Sequence, residues 1–225
     1  MSVIVIIISL FVLLFAITVH EASHGWAAFK MGDPTAHNLG RITINPLAHI
    51  DPIGTVLLPL LLVLVGAPAF GWAKPVPVNP YYLRNPRRDT LWISAAGPAA
   101  NFLVAGVALF LLILLKFLSP SVNFFLRSGG FYGSTFSRGF YPLEGLATIL
   151  YLAVLINIYL AVFNMIPVPP LDGSGVLMGV LSDESARKYD RIRPFGFIIV
   201  IVLIYLGFLD LIIFPINVFI SVLLR

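Results

Sequence analysis

The chain contains no cysteine. That absence excludes disulfides, thiolate metal ligands and a cysteine nucleophile, so any metal site has to be built from histidine and carboxylate. Charge is also scarce, at 11% of 225 residues. Lys and Arg exceed Asp and Glu by 14 to 10, but the basic residues are scattered through connecting segments and form no tract with interleaved aromatics, so nothing points to nucleic acid as a partner. No internal repeat is visible. The amino-terminal apolar run lacks a basic start and a small-residue cleavage site, and is expected to be a retained span, not a signal peptide.

What the chain has in abundance is apolar side chain, 59% by count, with a mean hydropathy of +0.99. This is too apolar for a soluble domain and too short for several domains beside the spans, so a single integral membrane domain is expected. Its class is an all-α polytopic membrane protein: a helical bundle with a re-entrant segment and a short membrane-associated β segment.

In chain order the reading is as follows. Residues 3–29 form a first spanning helix that ends at Lys30, Gly32, Asp33 and Pro34, and a polar, turn-rich loop runs to Ile50. Residues 53–70 are apolar but broken by Gly54, Pro59, Gly66 and Pro68. Residues 71–80 carry Pro75, Pro77 and Pro80, which favour extended backbone, so a β segment is expected; Pro75 and Pro77 silence one edge while Val76 and Val78 keep their amides for the other. Helices are expected at 90–118 and 142–163, separated by an aromatic loop suited to a membrane–water interface. Residues 164–173 hold Pro167, Pro169 and Pro170 and cannot continue a helix. The last apolar region, 195–224, is interrupted by Asp210 and Pro215 and reads either as one bent span or as a span followed by a shorter helix.

The chemistry concentrates in His20-Glu21-Ala22-Ser23-His24, at the far end of the first helix. Residues four apart share a helix face, so both imidazoles can reach one ion with Glu21 beside them, which is the spacing of a zinc-hydrolase helix. At 1.5 Å per residue His20 lies roughly 26 Å along the helix from Val3, near the far boundary of a hydrocarbon core of about 30 Å. A central charge there costs about 3 kcal/mol, so such a cluster implies function. A zinc hydrolase takes three protein ligands and leaves a position for water. Asp172 is the third ligand expected, because irregular backbone at membrane depth is tolerated where protein or a wet cavity surrounds it; its plainer reading is a helix N-cap. His37 and His49 read as polar loop residues.

Bringing Asp172 to His20 and His24 constrains the topology. If residues 53–70 crossed the bilayer fully, Asp172 would emerge on the opposite side from the histidines; if the segment dips and returns, it lands beside them. Re-entry is therefore expected. Lys30, Arg41, Lys74, Arg84, Arg87, Arg88 and the Arg187 to Arg193 cluster then share one side against Lys116, Arg127 and Arg138, which makes the active side cytoplasmic, in a cell (plasma) membrane.

Three ordered motifs carry a resemblance to a known family: HExxH at His20 to His24, GPxxN at Gly97 to Asn101, and NxxPxPxLDG at Asn164 to Gly173. The chain resembles the site-2 proteases, intramembrane zinc metallopeptidases, in a compact subgroup without PDZ-like or nucleotide-sensing domains. The resemblance implies one zinc ion bound by His20, His24 and Asp172, Glu21 as catalytic acid/base, and Asn164 as a holder of the substrate backbone or the oxyanion. Asn101 is read as a packing residue. The implied substrates are transmembrane proteins or peptides. The alternative is a non-proteolytic zinc-binding membrane protein: a transporter, which would string ligands along a path, or a pseudoprotease, which would usually have lost Glu21.

Overall fold

The computed structural model describes residues 3–58, 61, 64, 71–128 and 141–224. Helix α1 (Val3–Met31) buries Val12, Ala16, His20, His24 and Ala28, one residue in four, which defines a single stripe along the helix. Helix α2 (Pro86–Leu118) does the same with Asp89, Ile93, Gly97, Asn101 and Ala105. The two stripes are rich in Ala and Gly, and small side chains let membrane helices approach closely. Ala27 and Ala28 of α1 pack in one cluster with Ile93 and Ala96 of α2.

Pro86 sits at the first turn of α2, where its missing N–H is not needed. The Ser119 hydroxyl accepts from the Val122 amide and so starts α3 (Pro120–Arg127) directly afterwards. The expected aromatic loop is therefore helical in its first part; its remainder, 129–140, lies outside the described residues. Helix α4 (Pro142–Asn164) packs on both α1 and α2. These three long helices, α1, α2 and α4, are long and apolar enough to cross a membrane. Leu112, Val122, Phe125, Val154 and Ile220 close the core at the end of the bundle away from the histidines.

After α4 the chain turns through a proline-rich loop, 165–171, into α5 (Asp172–Val180). Gly175 and Gly179 face α2: a Cβ on the first would stand 2.1 Å from Ser94 Oγ, and on the second 2.4 Å from Leu91 Cβ. Helix α6 (Asp183–Asp190) is capped by Ser182 and tied to α2 by the exposed Arg87–Asp183 ion pair. The carboxy-terminal region resolves into α7 (Gly196–Tyr205) and α8 (Phe208–Leu224), with a bend of 57° before α8. The break falls at Gly207, whose φ of +75° suits a residue without a side chain, while Asp210 and Pro215 both lie inside α8.

The sequence expectation of a β segment at 71–80 is corrected. Among the described residues no strand forms. Residues 71–79 are irregular, and their amides go to four separate acceptors rather than one neighbouring strand: Trp72 N–H to Gly54 O (3.1 Å), Lys74 N–H to His49 O (3.0 Å), Val76 N–H to Glu21 Oε2 (3.0 Å) and Asn79 N–H to Asp33 Oδ2 (2.6 Å). A ladder needs one continuous partner strand, whereas these acceptors come from separate segments and two of them are side-chain carboxylates. Arg41 holds the run from the side, its Nη2 donating to Lys74 O (2.7 Å) and Pro75 O (3.3 Å).

Of the expected re-entrant segment, Pro52–Leu57 winds as a π-helical turn capped by Asp51. Residues 59–60, 62–63 and 65–70, on which the re-entry rests, lie outside the described residues. The flanks meet: besides the Trp72–Gly54 bond, Thr55 Oγ1 donates to Trp72 O at 2.9 Å.

Candidate metal centre

His20 and His24, only 5% and 9% exposed, stand one turn apart on the buried stripe of α1, their rings nearly perpendicular with centroids 4.7 Å apart. Asp172, the first residue of α5, directs its carboxylate at both. Its Oδ2 lies 2.9 Å from His20 Nε2 and 3.3 Å from His24 Nε2. The aspartate makes no side-chain hydrogen bond to cap α5, so the N-cap reading finds no geometry behind it.

The other ring nitrogens decide what these three atoms present. His24 Nδ1 lies 2.7 Å from Ile93 O, a carbonyl that can only accept, so Nδ1 carries the proton. His20 Nδ1 lies 2.5 Å from Asn101 Oδ1. Asn101 is completely buried, and its Nδ2 donates to Ala16 O (3.1 Å) and Asn157 Oδ1 (2.8 Å), which turns its oxygen toward His20. In the neutral form that a metal requires, with Nδ1 protonated, each imidazole offers a bare Nε2 lone pair on the side of the carboxylate. Oδ2 of Asp172 is buried with no hydrogen-bond donor. Three acceptors that converge without a proton repel one another unless a cation lies between them.

A divalent ion fits that gap. The candidate ligand atoms lie within 4.8 Å of one another. Tetrahedral zinc, with bonds of about 2.0–2.1 Å, needs ligand atoms about 3.3 Å apart, close to the spacings found. Gly97 keeps the position clear, since a Cβ there would stand 2.4 Å from His24 Nε2 and 2.7 Å from His20 Nε2. A donor set of two imidazoles and one carboxylate has the ligand types and the number of protein ligands of a catalytic zinc site.

Glu21, beside His20, is half-buried and accepts the Val76 N–H on Oε2. The expectation that Val76 keeps its amide for another strand is thereby corrected: that donor is engaged by Glu21. Val76 is itself buried, and a Cβ on Gly25 would stand 3.1 Å from Val76 Cγ1. Gly25 thus makes room for the extended run, not for α2. Asn164, at the end of α4, donates its Nδ2 to Leu160 O at 2.9 Å, within its own helix. His37 is exposed and stacks on Phe29, and His49 donates Nε2 to Thr43 O at 3.1 Å; neither joins the metal-ligand group.

Sequence reasoning missed the orienting groups. Asn101 reads from sequence as a packing residue, yet it fixes the His20 ring; Ile93 O does the same for His24, and Asn157 steadies Asn101. The available signal was a carboxamide on the fully apolar face of a spanning helix, which must find a partner at that depth.

The model of peptidase family M50 matches residues 8–207. The chain belongs to this family, the site-2 proteases. Among curated relatives, "Putative zinc metalloprotease YwhC" of Bacillus subtilis (strain 168) is 34% identical over 191 residues, 85% of this chain and 77% of the relative. "Putative zinc metalloprotease Rip2" of Mycolicibacterium smegmatis is 28% identical over 194 residues, covering 85% of this chain but only 64% of the relative. Rip2 of Mycobacterium tuberculosis (strain H37Rv) is 26% identical over 190 residues, with 84% and 63% covered. The chain thus matches less than two thirds of the Rip2 proteins' length. No solved structure matches it. As an M50 peptidase with three helices among the described residues long and apolar enough to span a bilayer, it is an integral membrane protein.

Proposed function

We propose that this M50 peptidase is an intramembrane zinc metalloprotease that hydrolyses peptide bonds within or near transmembrane segments, with Glu21 as its general base. The observation that carries the reading is the convergence of two Nε2 atoms and a buried carboxylate oxygen without a hydrogen-bond partner beside Gly97. His20, His24 and Asp172 would hold one zinc ion. Zinc bound there supplies Lewis acidity, polarising the scissile carbonyl and bringing the pKa of water to about 7.

The remaining work falls to the chain's own residues. Glu21 takes the proton of the attacking water and delivers it to the leaving amine. Val76 N–H holds Oε2 of Glu21 and leaves its other oxygen for that proton. Asn164 supports the developing oxyanion or the substrate backbone by exchanging its bond to Leu160 for one to the substrate. A helical substrate is shielded by its own hydrogen bonds and has to be unwound before attack. The family's peptidase class, together with a retained Glu21, favours hydrolysis over the transporter or pseudoprotease reading.

The topology we propose with this function sets the loop 31–50 and residues 71–89 on one face, the cytoplasmic face of a plasma membrane. The paired flanks Gly54, Thr55 and Trp72 support this. The substrates are transmembrane proteins or peptides, and the bilayer is the other partner. The deciding experiment is cleavage of a transmembrane peptide library by purified protein, with zinc removed by chelation and then restored, comparing wild type with Glu21→Gln. Zinc-dependent cleavage lost in Glu21→Gln is expected; equal activity in both would remove the proposed chemistry. Cysteine labelling in intact cells that placed residues 71–89 opposite 31–50 would overturn the topology.

A further inference from the structure

We infer that Asn157 is a positioning residue of the metal centre: acting through Asn101, it holds His20 in the tautomer that can bind zinc. The inference rests on the zinc-site reading above. Asn157 lies in the middle of α4 and is completely buried among apolar residues, where an unbonded carboxamide is costly. Its Nδ2 donates to Ala153 O, one turn back, at 2.8 Å. Its Oδ1 is thereby turned across the bundle, where it accepts from Asn101 Nδ2.

The chain of bonds has a direction. Asn101 Nδ2 gives its two protons to Asn157 Oδ1 and Ala16 O, which leaves Oδ1 to receive the Nδ1 proton of His20. Reversing the Asn101 amide would set its oxygen against two acceptors at once. It would also drive a donor toward His20 Nδ1 and push the ring proton to Nε2. An Nε2–H, 2.9 Å from Asp172 Oδ2, would satisfy that orphaned oxygen and close the site on itself. The network therefore selects between a metal-ready arrangement and a self-paired one. With Asn157 removed, Ala16 O alone opposes the reversal.

The test uses the full chain, purified in detergent, with zinc affinity read by competition against a chromogenic chelator. Asn157→Leu is expected to weaken zinc binding about 10- to 100-fold, the usual range for loss of an orienting partner. Asn157→Asp is expected to stay within about threefold of wild type, because a buried carboxyl remains neutral, accepts from Asn101 and donates its O–H to Ala153 O. In an Asn101→Leu background, Asn157→Leu should change nothing further. A second readout needs no metal: nitrogen-15 histidine NMR of zinc-free protein should show His20 protonated at Nδ1 in wild type and gaining Nε2 protonation in Asn157→Leu. If the leucine variant does not fold, Asn157→Ala takes its place.

An unchanged tautomer and affinity in Asn157→Leu would overturn the inference. So would Asn157→Asp as impaired as the leucine variant, or independent effects at 101 and 157. If wild type binds no zinc, or His20→Ala binds it equally well, the zinc reading fails instead, and the tautomer measurement still decides the relay.

Discussion

Glu21 Oε2 accepts the backbone N–H of Val76 at 3.0 Å, so the residue next to the candidate ligand His20 is held by a segment far away in sequence. Proline in place of Val76 removes that donor without altering any candidate ligand. Val76→Pro is expected to lower the cleavage rate at least about tenfold, the scale of losing one orienting bond to a charged group, with zinc content unchanged. Val76→Ala keeps the amide and should retain most activity. Equal rates for wild type and the proline variant would show that the contact does not orient Glu21.

Gly97 leaves no space for a side chain. Gly97→Ala puts a methyl group 2.4 Å from His24 Nε2. The expected outcome is loss of bound zinc, with affinity down at least about 100-fold, and a destabilisation of about 1–3 kcal/mol from overpacking. Metal analysis of the purified variant, beside its thermal stability, separates the two effects.

Asp172→Asn preserves shape and removes the negative charge. If the carboxylate is a ligand, the variant should lose zinc on dialysis against a chelator concentration that wild type withstands, and its cleavage should fall in parallel. A variant that kept full zinc occupancy would assign Asp172 to packing alone.

Asp33 supplies a pH signature away from the membrane. Burial works against its charged form, but the Thr35 hydroxyl, then the amides of Asn79 and Thr35, outweigh that and hold the carboxyl below its ordinary value. A lowered folded-state pKa means that the stabilisation is complete above the ordinary carboxylate value, about 4, and disappears as pH falls through the lowered one. Asp33→Asn should therefore cost about 2 kcal/mol at pH 7, and the gap from wild type should narrow on acidification below pH about 4. Thermal unfolding in detergent at several pH values measures it; a gap constant with pH would refute the assignment.

Helical periodicity made the site legible where chemistry and spacing coincide. His20 and His24 had to share a face, and the need for Asp172 to reach them limited the possible paths of the chain between. What stayed hidden depends on partners distant in sequence. The alternating prolines at 75 and 77 suggested a strand, but a strand needs a continuous neighbour, and here Gly54, His49, Glu21 and Asp33 each take one amide. Asn101 reads from sequence as a packing residue, because its bond to His20 depends on where α2 crosses α1. Asn157 belongs to no motif, and only the meeting of α4 with α2 gives it a function. At the carboxy terminus Pro215 drew notice as a breaker, while the turn was made by Gly207, because a proline is tolerated within a membrane helix when neighbouring groups satisfy the freed backbone.

Gly175 and Gly179 bring α5 against α2 with no side chain of their own between the two helices. The two sides of the candidate metal centre consequently differ in kind. One, carrying Asp172, is fastened by steric contact and cannot yield without dragging a ligand out of place. The other, residues 71–79, is held mainly by hydrogen bonds: its amides to Gly54, His49, Glu21 and Asp33, and its carbonyls to Thr55 and Arg41. Hydrogen bonds can be exchanged where steric contact cannot, so the second side is the more yielding of the two, and the Glu21 carboxylate is one of its fastenings.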